Sequence, residues 1–532
     1  MNQISLSKST KALLSRVNKI KQKEKADENS KITVSQTVSF FALLYERVRN
    51  AVEYREGHLM RRAAIERILR RRLSMNPAGD GEGQNLLREL LWARYFENES
   101  LDEDDAAVAQ KIIDTYKYIY DKLMVGQTAE QKALLSNYIF DLMTCEIEES
   151  LLPHEAAREG YFRYFTFQIL KNKVKIEGAS QEDKDASFYV ALERALSKSD
   201  IHYLRYHLFI LSHEPLSHVL REKLDHVIPQ LSAMFFRIEK LIENPYSDRI
   251  RRFIKNQIPP FLILFELIKR EGVNAEKDLS NKEDLWNKVE QICREKYNQS
   301  QKRFRALAIK AIIYIFATKM ILAFILEYPV SLVLFGHVNY FALVINSVAP
   351  PLLMLAIVLV TRLPGASNTR KIYERMIDII DADKQFETSV SLITKKSKIR
   401  RPVLVFGFTV FYSLTFIITF GLMYILLSTL EFNLISMAIF FFFMSVVTFF
   451  SYRVRQTAKE YQMKEKESFA RPFVDFFFMP LLSLGKFLST GLSRLNFMTF
   501  VFDFLIEAPF KLIIEVVEEW ISFVRNKREE IT

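Results

Sequence analysis

Two cysteines, Cys145 and Cys293, are all that the 532 residues contain. That excludes a disulfide framework and any CxxC metal or redox motif. Histidine is also scarce, with eight in the chain, five of them at His202, His207, His213, His218 and His226. The nearest approach to the zinc-binding HExxH pattern is His-Glu-Pro-Leu-Ser-His, one residue too long and interrupted by Pro215, so no metal site is expected. Glycine is sparse, and its one cluster, Gly79, Gly81 and Gly83 in SMNPAGDGEGQN, follows no strand pattern and precedes no Lys-Ser/Thr pair. A hinge over 74–85 is expected there rather than a phosphate-cradling loop. The Ser-His-Asp order, framed carboxylate pairs and cofactor fingerprints are missing as well, which argues for a protein that is not an enzyme and binds no cofactor. The basic N-terminus lacks the apolar core of a secretory signal.

What the sequence does have is a stretch from Asn281 to Tyr328 without glycine or proline, charged at its start and apolar at its end. As one helix it would be roughly 70 Å long, enough to leave water and cross most of a bilayer. A mean hydropathy of +0.01 conceals the join between a charged first half and an apolar second half. The chain reads as an all-α integral membrane protein with an N-terminal cytosolic helical domain, four transmembrane helices and C-terminal interfacial amphipathic helices.

The net charge of +11 is unevenly spread. Residues 1–72 hold 17 Lys/Arg against 7 Asp/Glu, and residues 73–150 hold 6 against 16. Residues 1–31 read as a basic flexible arm. Arg61, Arg62, Arg67, Arg70, Arg71 and Arg72 follow on an amphipathic helix over Thr33–Leu73, with Val38, Phe41, Leu44, Val48 and Val52 at helical spacing. These arginines are expected to face water, acidic groups or lipid phosphate, and are the candidate contacts to anionic headgroups. No aromatic interleaving or nucleic-acid module accompanies them, which disfavours nucleic acid as a partner.

A cytosolic domain is expected over 32–280, with caps and apolar periodicity marking helices near Asn85–Phe96, Asp104–Met124, Thr128–Leu151, His154–Val174, Ala186–Lys198, Ile201–Leu211 and Leu216–Ile242. A further helix over 248–271 should break or kink at Pro259-Pro260. A helical strut over 281–310 then enters a membrane domain over 311–452, with spans near 311–335, 339–361, 402–427 and 430–452. The loop Arg362–Arg401 carries ten Lys/Arg against five Asp/Glu, whereas the turns near 336–339 and 428–433 carry no Lys or Arg. By the positive-inside rule both termini are cytosolic and the protein is integral to the cell membrane. An amphipathic loop helix over 370–392 should present Ile372, Met376, Ile379 and Ile380 on one side.

The first span contains Lys319 and Glu327, each costing roughly 2.5 to 3.5 kcal/mol near a helix centre. The second contains Pro350-Pro351, which deprive the carbonyls of Asn346 and Ser347 of helical donors. Glu327 and Asn346 both lie roughly 13 to 16 Å from the turn near 336–339. Lys319, Glu327, Asn346, Ser347, Pro350 and Pro351 therefore form a candidate intramembrane polar site, readable as a proton or cation site beside a broken helix or as structural packing. Spans three and four carry small and hydroxylated residues suited to helix packing. After the return to the cytosol, over 453–532, a polar stripe at Asp503, Glu507, Lys511 and Glu515 argues for helices lying in the cytosolic interface or docked along the bundle, interrupted at Pro480 and Pro509, with a buried helix in an oligomer interface as the competing reading.

Functionally these features indicate a membrane-anchored scaffold or regulator, with lipid, a protein partner of the cytosolic domain and a second copy of the chain as candidate partners. An ion or proton channel or transporter is the alternative.

Overall fold

The computed structural model describes residues 3–23, 31–34, 56–176, 180–244, 246–361, 363–381, 391–393, 402–463, 471–493, 516 and 520. Apart from the short parallel pair β1 (Val174–Ile176) and β2 (Ser391–Ile393), their regular structure is helical. Among the described residues four helices are long and apolar enough to cross a membrane.

The first core gathers α2 (Gly57–Met75), α3 (Glu82–Trp92), α4 (Glu103–Leu123), α5 (Ala129–Leu151), α8 (Ile201–Ile210) and α9 (Arg221–Ile242). Local chemistry fixes where they begin. Asp102 and Asp105 form a capping box ahead of α4, as do Thr128 and Gln131 ahead of α5, satisfying donors that a helix start leaves unpaired. The expected hinge is a tight turn that ends sooner than its glycines suggest. Gly79 and Gly81 take positive φ, but Gly83 is already helical, and a Cβ there would overlap the Ala106 carbonyl of α4. Gln110 fills the turn, donating to the Gly79 carbonyl and accepting from the Gly83 N–H. No phosphate cradle remains.

The second core unites α1 (Lys8–Lys23), α6 (Pro153–Leu170), α7 (Gln181–Leu196), α10 (Ser247–Glu271), α11 (Ala275–Ser280), the start of α12 (Lys282–Leu322) and α15 (Ala366–Ile380). Two expectations are corrected here. Within the expected flexible arm, residues 3–23 are packed rather than free: α1 buries Leu13, Leu14, Val17 and Ile20 at helical spacing, and the residues leading into it bond across to Ser280 and Ile380. Nor does Pro259-Pro260 break α10, which continues through both prolines with each of them buried. The loop helix α15 contributes Ile372, Met376, Ile379 and Ile380. Asn368 clasps it to its neighbours, donating to Tyr297 of α12 and to the Tyr461 carbonyl while accepting from the Met463 N–H.

From this core a single helical rod of 53 residues, Lys282–Leu334, runs into the half that holds the candidate spans. Asn281 caps its start. The rod comprises α12, a wide π-turn over Ala323–Glu327 and α13 (Tyr328–Phe335). The π-turn has a local cause in Pro329, which offers no N–H to the Ile325 carbonyl and crowds it with its ring. The other candidate spans are α14 (Tyr340–Val360), α16 (Pro402–Thr429) and α17 (Leu434–Ala458). The helix α14 is continuous through Pro350 and Pro351, which corrects the expectation of a broken second span: consecutive prolines remove two backbone bonds, but neighbouring turns and packed helices hold the axis.

The last described helix, α18 (Arg471–Ser493), is not an isolated surface helix and is not interrupted at Pro480. Gly485 meets the backbone of Ser445, near the midpoint of α17, so closely that a Cβ would overlap its carbonyl. On the other side Tyr412 and Ser483 hydroxyls lie 2.8 Å apart, and Phe411 meets Phe476 edge-on. Near their shared turn α16 and α17 touch directly, with Phe420 edge-on to Phe441; further from the turn α18 lies against both. Of the two expected placements for this segment, the described part shows docking along the bundle. The stripe Asp503, Glu507, Lys511 and Glu515 lies outside the described residues, as do Val38 to Val52 of the expected first amphipathic helix.

Replacing Gly485 by leucine should force α18 away from α17 and cost about 1 to 3 kcal/mol. Leucine at Gly407, where a Cβ meets nothing, should cost little. Thermal unfolding of the two variants in one detergent compares them.

Candidate functional site

Along the rod the buried positions are Leu285, Val289, Ile292, Cys293, Ser300, Phe304, Ala308, Ile315 and Lys319, then Ala323 and Glu327 in the π-turn. Steps of three, four and seven keep them on one slowly turning face. Lys319 and Glu327 end that face, 0% and 1% exposed. In an unbroken α-helix, residues eight apart are offset by about 80° around the axis. The π-turn winds less per residue, and this brings the two side chains onto one side.

There Lys319 Nζ lies 3.1 Å from Glu327 Oε2 and 5.1 Å above the Phe443 ring of α17. Asn346, on α14 and 0% exposed, donates from Nδ2 to Glu327 Oε1 at 2.6 Å and to the Ser436 carbonyl of α17 at 3.1 Å. A cation, a carboxylate and an amide from two spans thus close onto the backbone and a ring of a third. Of the six residues singled out in the sequence, the structure joins Lys319, Glu327 and Asn346. Ser347 turns away, donating to the Leu343 carbonyl one turn back, while Pro350 and Pro351 are buried within α14. Asn346 Oδ1 accepts no hydrogen bond from the described residues. Sequence reasoning missed Ser436 and Phe443, which no motif marks, and the π-turn, which Pro329 directly after Glu327-Tyr328 signals. Toward the distal turn Asn433 caps α17 and donates to Ser331 of α13 at 2.9 Å.

A second cluster lies in the N-terminal half. His207 is held between Glu149, 2.8 Å from Nε2, and Glu193, 2.9 Å from Nδ1, while Glu193 also meets Arg163 at 2.8 Å and accepts from Ser199. Burial alone would lower the His207 pKa, but Glu193 and Glu149 outweigh both burial and Arg163 and hold it up at about 9. Nearby His58 is pushed down to about 4, chiefly by burial. Burial also raises Glu148 despite Arg61 and Tyr203 beside it. The cavity these groups line, about 30 Å³, suits a water or two and no substrate. Among the described residues no His/Cys/Asp/Glu group is arranged to hold a metal. Both cysteines are buried, and burial raises both thiol pKa values, that of Cys293 to about 11. Neither is a ready nucleophile.

Of the surroundings expected for the arginines of α2, the structure shows acidic groups. Arg61 pairs with Glu148, Arg62 and Arg70 with Glu66, and Arg71 and Arg72 with Glu89, Arg72 also reaching Glu82. Arg67 is engaged too. Glu82, Glu89 and Glu148 of the acidic stretch 73–150 thus face α2 and share in neutralising its arginines.

Comparison with protein families, with curated proteins and with solved structures finds no match to this chain.

Two outcomes follow from these clusters. Removing one partner of the intramembrane pair, by Lys319→Met or Glu327→Leu, should cost about 3 to 5 kcal/mol because the other charge stays buried, whereas the double variant should recover most of that loss in a double-mutant cycle of unfolding. Because the folded-state pKa of His207 lies above its ordinary value near 6.5, its contribution to stability is complete below about pH 6.5 and lost as pH rises through about 9. That loss, on the order of 3 kcal/mol, should be visible in unfolding midpoints across this window and absent in His207→Gln.

Proposed function

We propose that this protein is a membrane-anchored helical scaffold or regulator that presents its N-terminal helical domain at the cytosolic face of the cell membrane. One observation carries the reading: the rod Lys282–Leu334 belongs to both cores, placing Leu285, Val289 and Ile292 in the second extramembrane core and Lys319 and Glu327 in the span seam. A tether would need only a flexible link, whereas a continuous rod fixes the domain relative to the spans. The basic loop Arg362–Arg401 favours the cytosolic orientation. On this reading the domain recruits a protein partner at the membrane surface.

A second reading, transport of protons or small cations gated by the domain, draws on the buried Lys319–Glu327–Asn346 cluster, the unpartnered Asn346 oxygen and the π-turn at Glu327. It is the weaker of the two, because Lys319 already neutralises Glu327 and direct contacts close the seam.

Spin labels at Val125 and His337 should report a narrow distance distribution in the full chain in nanodiscs, and Gly-Gly inserted after Ser300 should broaden it. Liposomes bearing the protein should pass protons and potassium no faster than empty ones. A broad distribution in the parent chain removes the rod argument, and a flux altered by Glu327→Gln moves the conclusion to transport.

A further inference from the structure

Five of the six arginines of α2 meet carboxylates, and against them one group of cations stands apart. Lys302, Arg305 and Lys310 of α12 and Arg453 and Arg455 at the end of α17 are all exposed, and none has an ion-pair partner among the described residues. Arg303 is left out because it acts on Glu56. The five lie where the rod passes from the N-terminal half into the spans. Val454, between the two arginines of α17, packs into the same apolar cluster as Ala308, Ala311 and Ile312 of α12, so both helices present their charges at one level.

Position on the helix says what these charges face. Lys302 and Arg305 continue, at steps of three and four, into Ile309, Ile313 and Phe316, which are exposed on a helix apolar enough to span and therefore face lipid. Lys310 stands one turn before exposed Tyr314, and Tyr452 is exposed beside Arg453. Cations directly above a lipid-facing stripe, with tyrosines at the boundary, form the arrangement that meets headgroups at a bilayer interface. From Lys302 to Lys310 the rise is about 12 Å, enough to cross the headgroup layer.

We propose that Lys302, Arg305, Lys310, Arg453 and Arg455 form a collar that binds anionic phospholipid headgroups. A phosphate there would meet charges not already satisfied by carboxylates, unlike those of α2. A protein partner fits less well, because the collar is continuous with surface that must face hydrocarbon. The collar would hold the rod at a fixed depth and set the height of the N-terminal domain above the membrane.

The full chain in a neutral detergent, titrated with short-chain phosphatidylglycerol or phosphatidylcholine and followed by its unfolding midpoint, tests this directly. The parent chain should bind phosphatidylglycerol at least about tenfold more tightly than phosphatidylcholine, with the preference shrinking at high salt. The triple variant Lys302→Gln, Arg305→Gln, Lys310→Gln should lose that preference while keeping its midpoint in detergent alone; Lys223→Gln with Lys240→Gln, exposed on α9, should keep it. Equal binding of the two lipids by the parent chain, or equal loss in both variants, overturns the proposal. If the triple variant has a lowered midpoint in detergent, spin-labelled phosphatidylglycerol bound to the parent chain should broaden a nitroxide at Ile309 but not one at Leu134. No broadening at Ile309 has the same overturning force.

Discussion

The contact between Lys319 and Glu327 is the constraint on which the membrane half turns. Neither charge can be left alone among apolar side chains, and together they become tolerable only at hydrogen-bond distance with their remaining valences met. Asn346 bonds Glu327, and the Phe443 ring lies under the ammonium, so α12, α14 and α17 are fixed in rotation and height at one point. Apolar packing alone would leave these helices free to slide, because lipid tails compete on nearly equal terms with leucine. A polar contact with a single geometry does not permit that.

The same logic, applied in water-accessible surroundings, orders the N-terminal half. Arg62, Arg163, Glu193 and His207 are all buried charged or titratable groups, each held by named partners on other helices or one turn away. Such groups add less net stability than apolar replacements would, but they penalise every misregistered arrangement of the helices that carry them. Charge pairing also separates two kinds of basic surface that composition cannot distinguish. Five of the six arginines of α2 are turned to acid, and the five cations at the neck meet none among the described residues.

Much of the fold was legible, because its causes are local. Four long apolar runs, the capping residues Thr128 and Asn281 and the alternation of apolar residues on α15 depend on near neighbours in sequence. At the site, the shared depth of Glu327 and Asn346 could be counted from their common turn. What could not be read depended on partners far along the chain: Ser436 closing the seam, Glu82 and Glu89 reaching α2, and Gly485 touching Ser445. Prolines misled in a consistent way. Pro259-Pro260 and Pro350-Pro351 were expected to break helices that tertiary packing keeps intact, whereas Pro329, just past the stretch that drew attention for lacking proline, shapes the site.

The π-turn before Pro329 explains why a rod of this length is not uniform. An α-helical segment resists bending because every carbonyl accepts from a donor four residues on, and a π-turn suspends that rule for one turn. It occurs at Glu327, the residue whose carboxylate joins two spans. Rotation of α13 relative to α12 would therefore be expressed first as a change in the Lys319 to Glu327 distance, and a change in that contact would in turn alter the winding. The rigid part of the rod lies toward the N-terminal core and its compliant turn lies beside the buried charges. Motion carried from one half would thus be concentrated beside the buried Lys319–Glu327 pair.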